Sequence, residues 1–323
     1  MRFRWYGVAA LLLLAMDAGA QAWAPQKNVE IVAGSAPGGS NDKTARAMER
    51  ILGAQKLVPT TLTVINRPGG GGSIAYTYVA QRAGDPHYLA VAGSNILTGS
   101  ILGSTTVTVQ DFTPIAQLYE DYAVFAVQSG SPIRNGKELA ERMKNPQKIV
   151  VGFANAFGSS RHIAVGLLVK SMGSNVRDLK PVVYKGSAEA ITSVLGGHIE
   201  AVVVGATNAA GHVANGRMRV VAVAAPRRFS SGPLADAPTW REQGIDVVYG
   251  NWRQIYGPKG LTPAQLRYWE EALRKMSDTQ EWKADLEKNY WTPEFIVGDQ
   301  LRAEIEREHK YLKTLLTELG LAK

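Results

Sequence analysis

The sequence predicts an α/β protein built as two lobes. Three observations carry that expectation. The chain has 323 residues, enough for two domains of ordinary size. Its apolar content of 45% and its 33 glycines suit a packed α/β chain and not a disordered one. A strand–loop–helix unit near the start returns about 120 residues later, from Gly38 to Gly158.

The first unit is the most informative stretch. Val29–Ala33 reads as a short buried strand, Gly34 to Asn41 as a Gly/Pro/Ser loop, and Asp42 to about Leu52 as a helix. Gly38 and Gly39 allow close backbone approach and positive φ. Ser40, Asn41 or Asp42 can cap the helix. Free N–H groups at the positive end of a helix dipole form an anion site, and the same residues also make an ordinary capped turn. Asp42 reads as a cap or dipole partner. In an anion site it would orient the loop or accept from a ligand amino or hydroxyl group.

Thr61–Asn66 reads as the second strand, followed by Arg67-Pro68 and four glycines, then a helix over Ile74–Arg82. Gly70, Gly72 and Ala75 fit a loose dinucleotide pattern. Arg67-Pro68-Gly69 intervenes and no acid ends a strand at the required distance, so a close-packed turn is expected. Tyr88–Gly93 is a third strand. It runs into Ser94-Asn95, at a strand's carboxyl end, where open α/β sheets place ligands. Thr113–Tyr119 and Tyr122–Gln128 are apolar stretches split by Glu120-Asp121, which suggests a crossing between lobes. Asn135–Lys144 reads as a short amphipathic helix.

At Lys148 the pattern restarts. Ile149–Phe153 is a buried strand, residues 154 to 160 a small polar loop, and a helix with Ile163, Leu167 and Leu168 at helical spacing follows. Two lobes that each aim such a device at a shared cleft would grip one anion from both sides. Asn155, Gly158, Ser159 and Ser160 are the candidate residues of this second loop. Strand Pro181–Lys185 then ends in Lys185, a candidate counter-charge or a solvated lysine. Helix Ala188–Leu195, strand Ala201–Val204 and the polar end Gly205–Asn208, with Thr207, come next. A weak helix (Ala209–Asn215) and strand Met218–Ala224 precede the loop Pro226–Pro238, which is expected to return the chain to the first lobe. Asn251–Gly257 is strand-like. Thr262-Pro263-Ala264-Gln265 is a capping box opening a C-terminal helical region, and Asp299–Leu319 lines up Leu301, Ile305, Leu312, Leu315, Leu316 and Leu319 as a packing face.

Composition excludes several classes. There is no cysteine, so disulfides, thiolate catalysis, zinc–thiolate sites and a lipoprotein anchor are out. Residues 1–22 read as a secretory signal, with Arg2 and Arg4 before the apolar run Val8–Met16 and small residues at the cleavage candidates. That run is too short to span a membrane. Its removal, with Asp17, takes the formal charge from +8 to +7. The basic residues are scattered, which argues against nucleic-acid binding; they serve either steering of acidic small molecules or solubility. Ser159, Ser160 and His162 are too close on one helix for a nucleophile–base pair. No metal spacing of histidines exists. Glu120-Asp121 and Glu270-Glu271 are expected to be solvated charges. A secreted hydrolase using Ser159 or Ser73 lacks a placed base and acid. No cofactor and no catalysis are expected.

As an ordered set, several stretches resemble one family. They are Ala36-Pro37-Gly38-Gly39-Ser40-Asn41-Asp42, Asn66-Arg67-Pro68-Gly69-Gly70-Gly71-Gly72, Asp111-Phe112-Thr113-Pro114-Ile115-Ala116, Tyr184-Lys185-Gly186-Ser187, Leu195-Gly196-Gly197-His198-Ile199-Glu200 and Ala237-Pro238-Thr239-Trp240. The chain resembles the periplasmic solute receptors of tripartite tricarboxylate transporters, the TctC or Bug family. The resemblance implies a type II periplasmic-binding-protein (Venus-flytrap) fold with crossover segments between lobes. Lobe 1 would be residues 23–121 plus 228–323, and lobe 2 residues 122–227. It implies that Ser35, Ala36, Pro37, Gly38, Gly39, Ser40, Asn41 and Asp42 pinch a ligand carboxylate against the second loop. Asn95, Thr207 and Asn251 would contact its distal groups. Gly250-Asn251-Trp252-Arg253 is similar to the branch associated with tricarboxylates, which favours a citrate-like tri- or dicarboxylate. Phe157 and Gln254 depart from the family pattern, and either departure could narrow or reshape the cleft. The implied partners are the permease subunits of such a transporter or, alternatively, a sensor kinase. A monomer is expected.

Overall fold

The computed structural model describes residues 23–154 and 156–322. Residues 1–22, which hold the expected signal, and Asn155 lie outside the described residues. Among the described residues, no helix is long and apolar enough to cross a membrane.

The first half-sheet follows the expected order. Strand β1 (Val29–Ala33) leads to α1 (Ser40–Ala54), β2 (Leu62–Asn66), α2 (Ser73–Ala80), β3 (Tyr88–Ala92) and α3 (Asn95–Ile101). β1 pairs in parallel with β2 and β3, as crossover helices require. Its residues alternate between two packed faces. Val29, Ile31 and Ala33 meet Met48, Ile51 and Leu52 of α1, and Val32 meets Tyr76 and Val79 of α2. Both faces are covered, and only Glu30 interrupts the apolar run.

The two apolar stretches around Glu120-Asp121 are one strand, β4 (Phe112–Gln128). Its first half pairs with β9 (Gly250–Pro258) and with β10 (Trp291–Val297). From Ala123 its partners change to β7 (Ala201–Gly205) and β8 (Met218–Val223). One strand thus threads both half-sheets, and Glu120-Asp121 sits at the changeover. The solvated reading of this pair is overturned. Asp121 is 2% exposed and ion-paired with Arg161 at 2.6 Å. Glu120 is partly buried. Burial and the neighbouring carboxylates of Glu294, Glu308 and Asp121 push its pKa well up.

The second half-sheet adds α4 (Gly136–Met143), β5 (Val151–Ala154), α5 (Ser160–Ser171), β6 (Val182–Tyr184), α6 (Ser187–Leu195) and α7 (Ala206–Ala214). β5 pairs in parallel with β6 and β7. α7 begins directly after β7, so Thr207 is helical and not in a loop. The segment expected to carry the chain back at Pro226–Pro238 stays with this half. Leu234 and Ala237 pack with Val202 and Val204, and Trp240, Ile245 and Val247 pack with Phe125 and Val203.

Helices α8 (Pro263–Asp278), α9 (Gln280–Lys288) and α10 (Gly298–Glu318) finish the chain. The Thr262–Gln265 capping box forms. The expected leucine face of α10 is buried, and its end reaches across: Leu319 packs with Ile163 and Leu167 of α5. β10 was not expected from the sequence. Pro293 interrupts its pattern and is tolerated because the register shifts between Pro293 and Ile296.

Candidate functional site

Between the half-sheets lies a cavity of about 630 Å³, lined from both sides. Its walls begin at the two strand–loop–helix units, and these are built alike. In the first, Gly38 takes φ +81° and Gly39 is the extended N-cap of α1. In the second, Gly158 takes φ +75° and Ser159 is the extended N-cap of α5. Each glycine N–H donates to the side chain four residues on: Gly38 to Asp42 Oδ2 at 2.8 Å, Gly158 to His162 Nδ1 at 3.0 Å. Each third helical N–H is also capped, Asp42 N–H by Ser35 Oγ and His162 N–H by Ser159 Oγ. The N–H groups of Ser40, Asn41, Ser160 and Arg161 have no acceptor among the described residues. All four residues line the cavity. Two helix N-termini therefore offer unspent donors and aligned dipoles to one space, which suits an anion.

The braces behind the two loops differ. Asp42 is 2% exposed and accepts from Gly38, Asn66 and Arg46. Burial pushes its pKa up, but these three partners together outweigh it and hold the carboxyl below its usual range. His162 is 4% exposed, stacked on Phe153 at 5.0 Å with Phe157 edge-on at 5.2 Å. Burial lowers its pKa to about 4. Its Nδ1 accepts from Gly158, so the neutral ring carries its proton on Nε2. Nδ1 is thereby spent on the loop and not on a serine hydroxyl.

Of the residues expected at the site, Ser35, Ala36, Pro37, Gly38, Gly39, Ser40 and Asn41 line the cavity from the first loop. Ser159, Ser160, Lys185 and Thr207 line it from the other side, and Asn95 and Asn251 from the floor. Thr207 Oγ1 is engaged, donating to the Asn289 carbonyl across the lobes at 2.5 Å. Asn95 donates to the Gly71 carbonyl, and Asn251 accepts from Ser94. Asp42 and Gly158 stand behind the loops and do not reach the cavity. Phe157 is exposed, and Gln254 is buried against Gln117; neither lines the cavity. The Gly70–Gly72 turn is close-packed as expected, with a Cβ on Gly34 only 2.9 Å from Gly72 Cα, and it also lines the cavity.

Lys43, Arg161 and Arg253 line it too and were missed as site residues. Charged residues inside an apolar strand or directly after a cap were the available signal. Lys43, Arg161, Lys185 and Arg253 are the charged side chains lining the cavity among the described residues; no Asp or Glu lines it. Burial lowers the Lys43 pKa, with Asp121 opposing. For Arg253, burial pulls the pKa down, but Tyr119 and Asp121 outweigh it and the guanidinium stays charged. Among the described residues no cluster of acidic and histidine side chains could hold a metal ion.

The family model described as "Tripartite tricarboxylate transporter family receptor" matches residues 45–321. A Cupriavidus necator protein, the UPF0065 protein in the gbd 5′ region, is 29% identical over 98% of this chain and 94% of its own length. A TctC solute-binding protein from Polaromonas is similar in structure, with a TM-score of 0.72 and 27% identity, over 91% of this chain and 99% of its own. The fold likeness extends to R. palustris Rpa4515, solved with adipate, at a TM-score of 0.81 and 21% identity over 92% and 99% of the two chains.

Proposed function

The chain belongs to the tripartite tricarboxylate transporter receptor family, and from that premise we propose that it is a periplasmic receptor for a small di- or tricarboxylate, citrate-like in class. Its family is one of binding proteins, not enzymes. One observation carries the reading: four unspent N–H groups at two helix starts face one cavity whose charged side chains are all cationic. A carboxylate between the loops would take those N–H groups as charge-assisted donors. The four glycines from 69 to 72 and the extended caps would let it approach the backbone. We place the lobe boundary at β4 residue 121 and, on the return, near residue 249. Residues 1–22 would direct export, and the permease subunits of a tripartite transporter would take the ligand.

A thermal-shift screen of protein stripped of ligand by unfolding and refolding tests this. The panel is citrate, isocitrate, tricarballylate, malate, succinate, adipate, butyrate and the uncharged glycerol. A ligand at 100 times its dissociation constant adds about 2.7 kcal/mol. A shift with a di- or tricarboxylate and none with glycerol is expected. Silence to every carboxylate would overturn the proposal.

A further inference from the structure

Resting on that receptor reading, we infer that Arg253 reads a second carboxylate of the ligand and so sets the preference for ligands with two or more carboxylates over monocarboxylates. Arg253 stands on β9 at the cavity floor and is 3% exposed. Its Nη1 donates to Asn41 Oδ1 at 2.6 Å and its Nε to the Tyr119 hydroxyl at 3.3 Å. Its Nη2 is buried and has no partner among the described residues. No carboxylate among the described residues is ion-paired with it; the nearby Asp121 is committed to Arg161 at 2.6 Å. A buried guanidinium left half-satisfied is costly, and a planar fork of this kind fits a carboxylate better than a lysine does. The pocket is also shaped around it. A Cβ on Gly93 would stand 2.7 Å from Nη1 and 2.7 Å from Asn251 Oδ1.

Donor accounting assigns the guanidinium to a second group. A carboxylate offers about four lone-pair sites. The N–H groups of Ser40, Asn41, Ser160 and Arg161 can fill them. The remaining donors of Arg253 are then left for another anion. Asn41 links the two: its backbone N–H belongs to the first set and its side chain to Arg253.

The test is calorimetry on stripped protein with pairs differing by one carboxylate: succinate and butyrate, glutarate and pentanoate, adipate and hexanoate. Wild type is expected to prefer the dicarboxylate of the best-bound pair by about 100-fold or more. R253Q should cut that ratio at least about tenfold while changing monocarboxylate affinity by less than about threefold. R253K keeps the charge without the fork and should lose about three- to tenfold of the ratio, which preserves the test if R253Q does not fold. Equal weakening of both members of each pair, in R253Q and R253K alike, would make Arg253 a prop for the loop and overturn the inference. A wild type indifferent to the second carboxylate would also overturn it. Failure of the wild type to bind any carboxylate would instead overturn the receptor reading.

Discussion

The loops of the two lobes present the same backbone and brace it with opposite chemistry. Pro37-Gly38-Gly39-Ser40-Asn41-Asp42 is held by charge: Asp42 answers Gly38, Asn66 and Arg46. Phe157-Gly158-Ser159-Ser160-Arg161-His162 is held by burial: a neutral imidazole between aromatic rings answers Gly158. What is repeated is the φ of one glycine, an acceptor four residues on, and two free N–H groups. The side chains that secure this geometry are interchangeable so long as each supplies one acceptor. They are not interchangeable in their response to pH.

The largest effect should come from the cap position, glycine in one loop and serine in the other. Gly39 has Ser35 Oγ where its own side chain would go, 2.7 Å from an added Cβ. G39V should therefore displace the loop and weaken carboxylate binding by about 100-fold or more. S159G removes only a cap, worth a few tenths of a kcal/mol against Gly, and should change affinity by less than about threefold. Calorimetry on both variants checks this, and equal losses would break the comparison.

Acid should separate the braces next. A histidine lowered from 6.5 to about 4 binds its proton more readily in the unfolded chain. Stability therefore falls as pH drops from about 6.5 to about 4, by up to about 3 kcal/mol. The lowered Asp42 works in the same direction but later, since its contribution is lost only below the ordinary carboxylate range. Denaturant unfolding across pH should show a shallower slope for H162N, whose side-chain oxygen can still accept from Gly158. Amide exchange at Gly158 should accelerate at higher pH than at Gly38. Simultaneous loss at both would contradict the difference.

Asp42→Asn keeps the shape and removes the charge. It should cost about 1–3 kcal/mol in urea unfolding, because a buried carboxylate with three donors loses at least one good partner. The smallest contrast lies at the positive-φ glycines. G38A meets open space and bears only backbone strain, about 1–2 kcal/mol. G158A adds a collision with Leu102 Cδ1 from the other lobe and should cost about 1 kcal/mol more. Equal melting temperatures would show that Leu102 yields freely.

Local signals made much of this legible. A short, mostly apolar run marked β1, and the Gly/Ser loops before helical periods marked both anion devices. What escaped depended on partners far along the chain. Arg253 meets Asn41 across 212 positions, and Arg161 meets Asp121 across 40. A charge in such a pair reads as solvated until its partner is placed. Glu120-Asp121 was misread for that reason, and β10 because Pro293 and Glu294 mask its pairing with β4. That residues 240–247 pack with the second half-sheet escaped because Trp240 and Val247 join a core that includes Phe125, more than a hundred residues earlier.

The central claim is that one anion is held by both helix starts at once. Amide NMR of the stripped protein titrated with the best-shifting carboxylate tests it directly. The N–H signals of Ser40, Asn41, Ser160 and Arg161 should move together and saturate with one dissociation constant. Movement in one loop alone, or none while binding is seen calorimetrically, would contradict it.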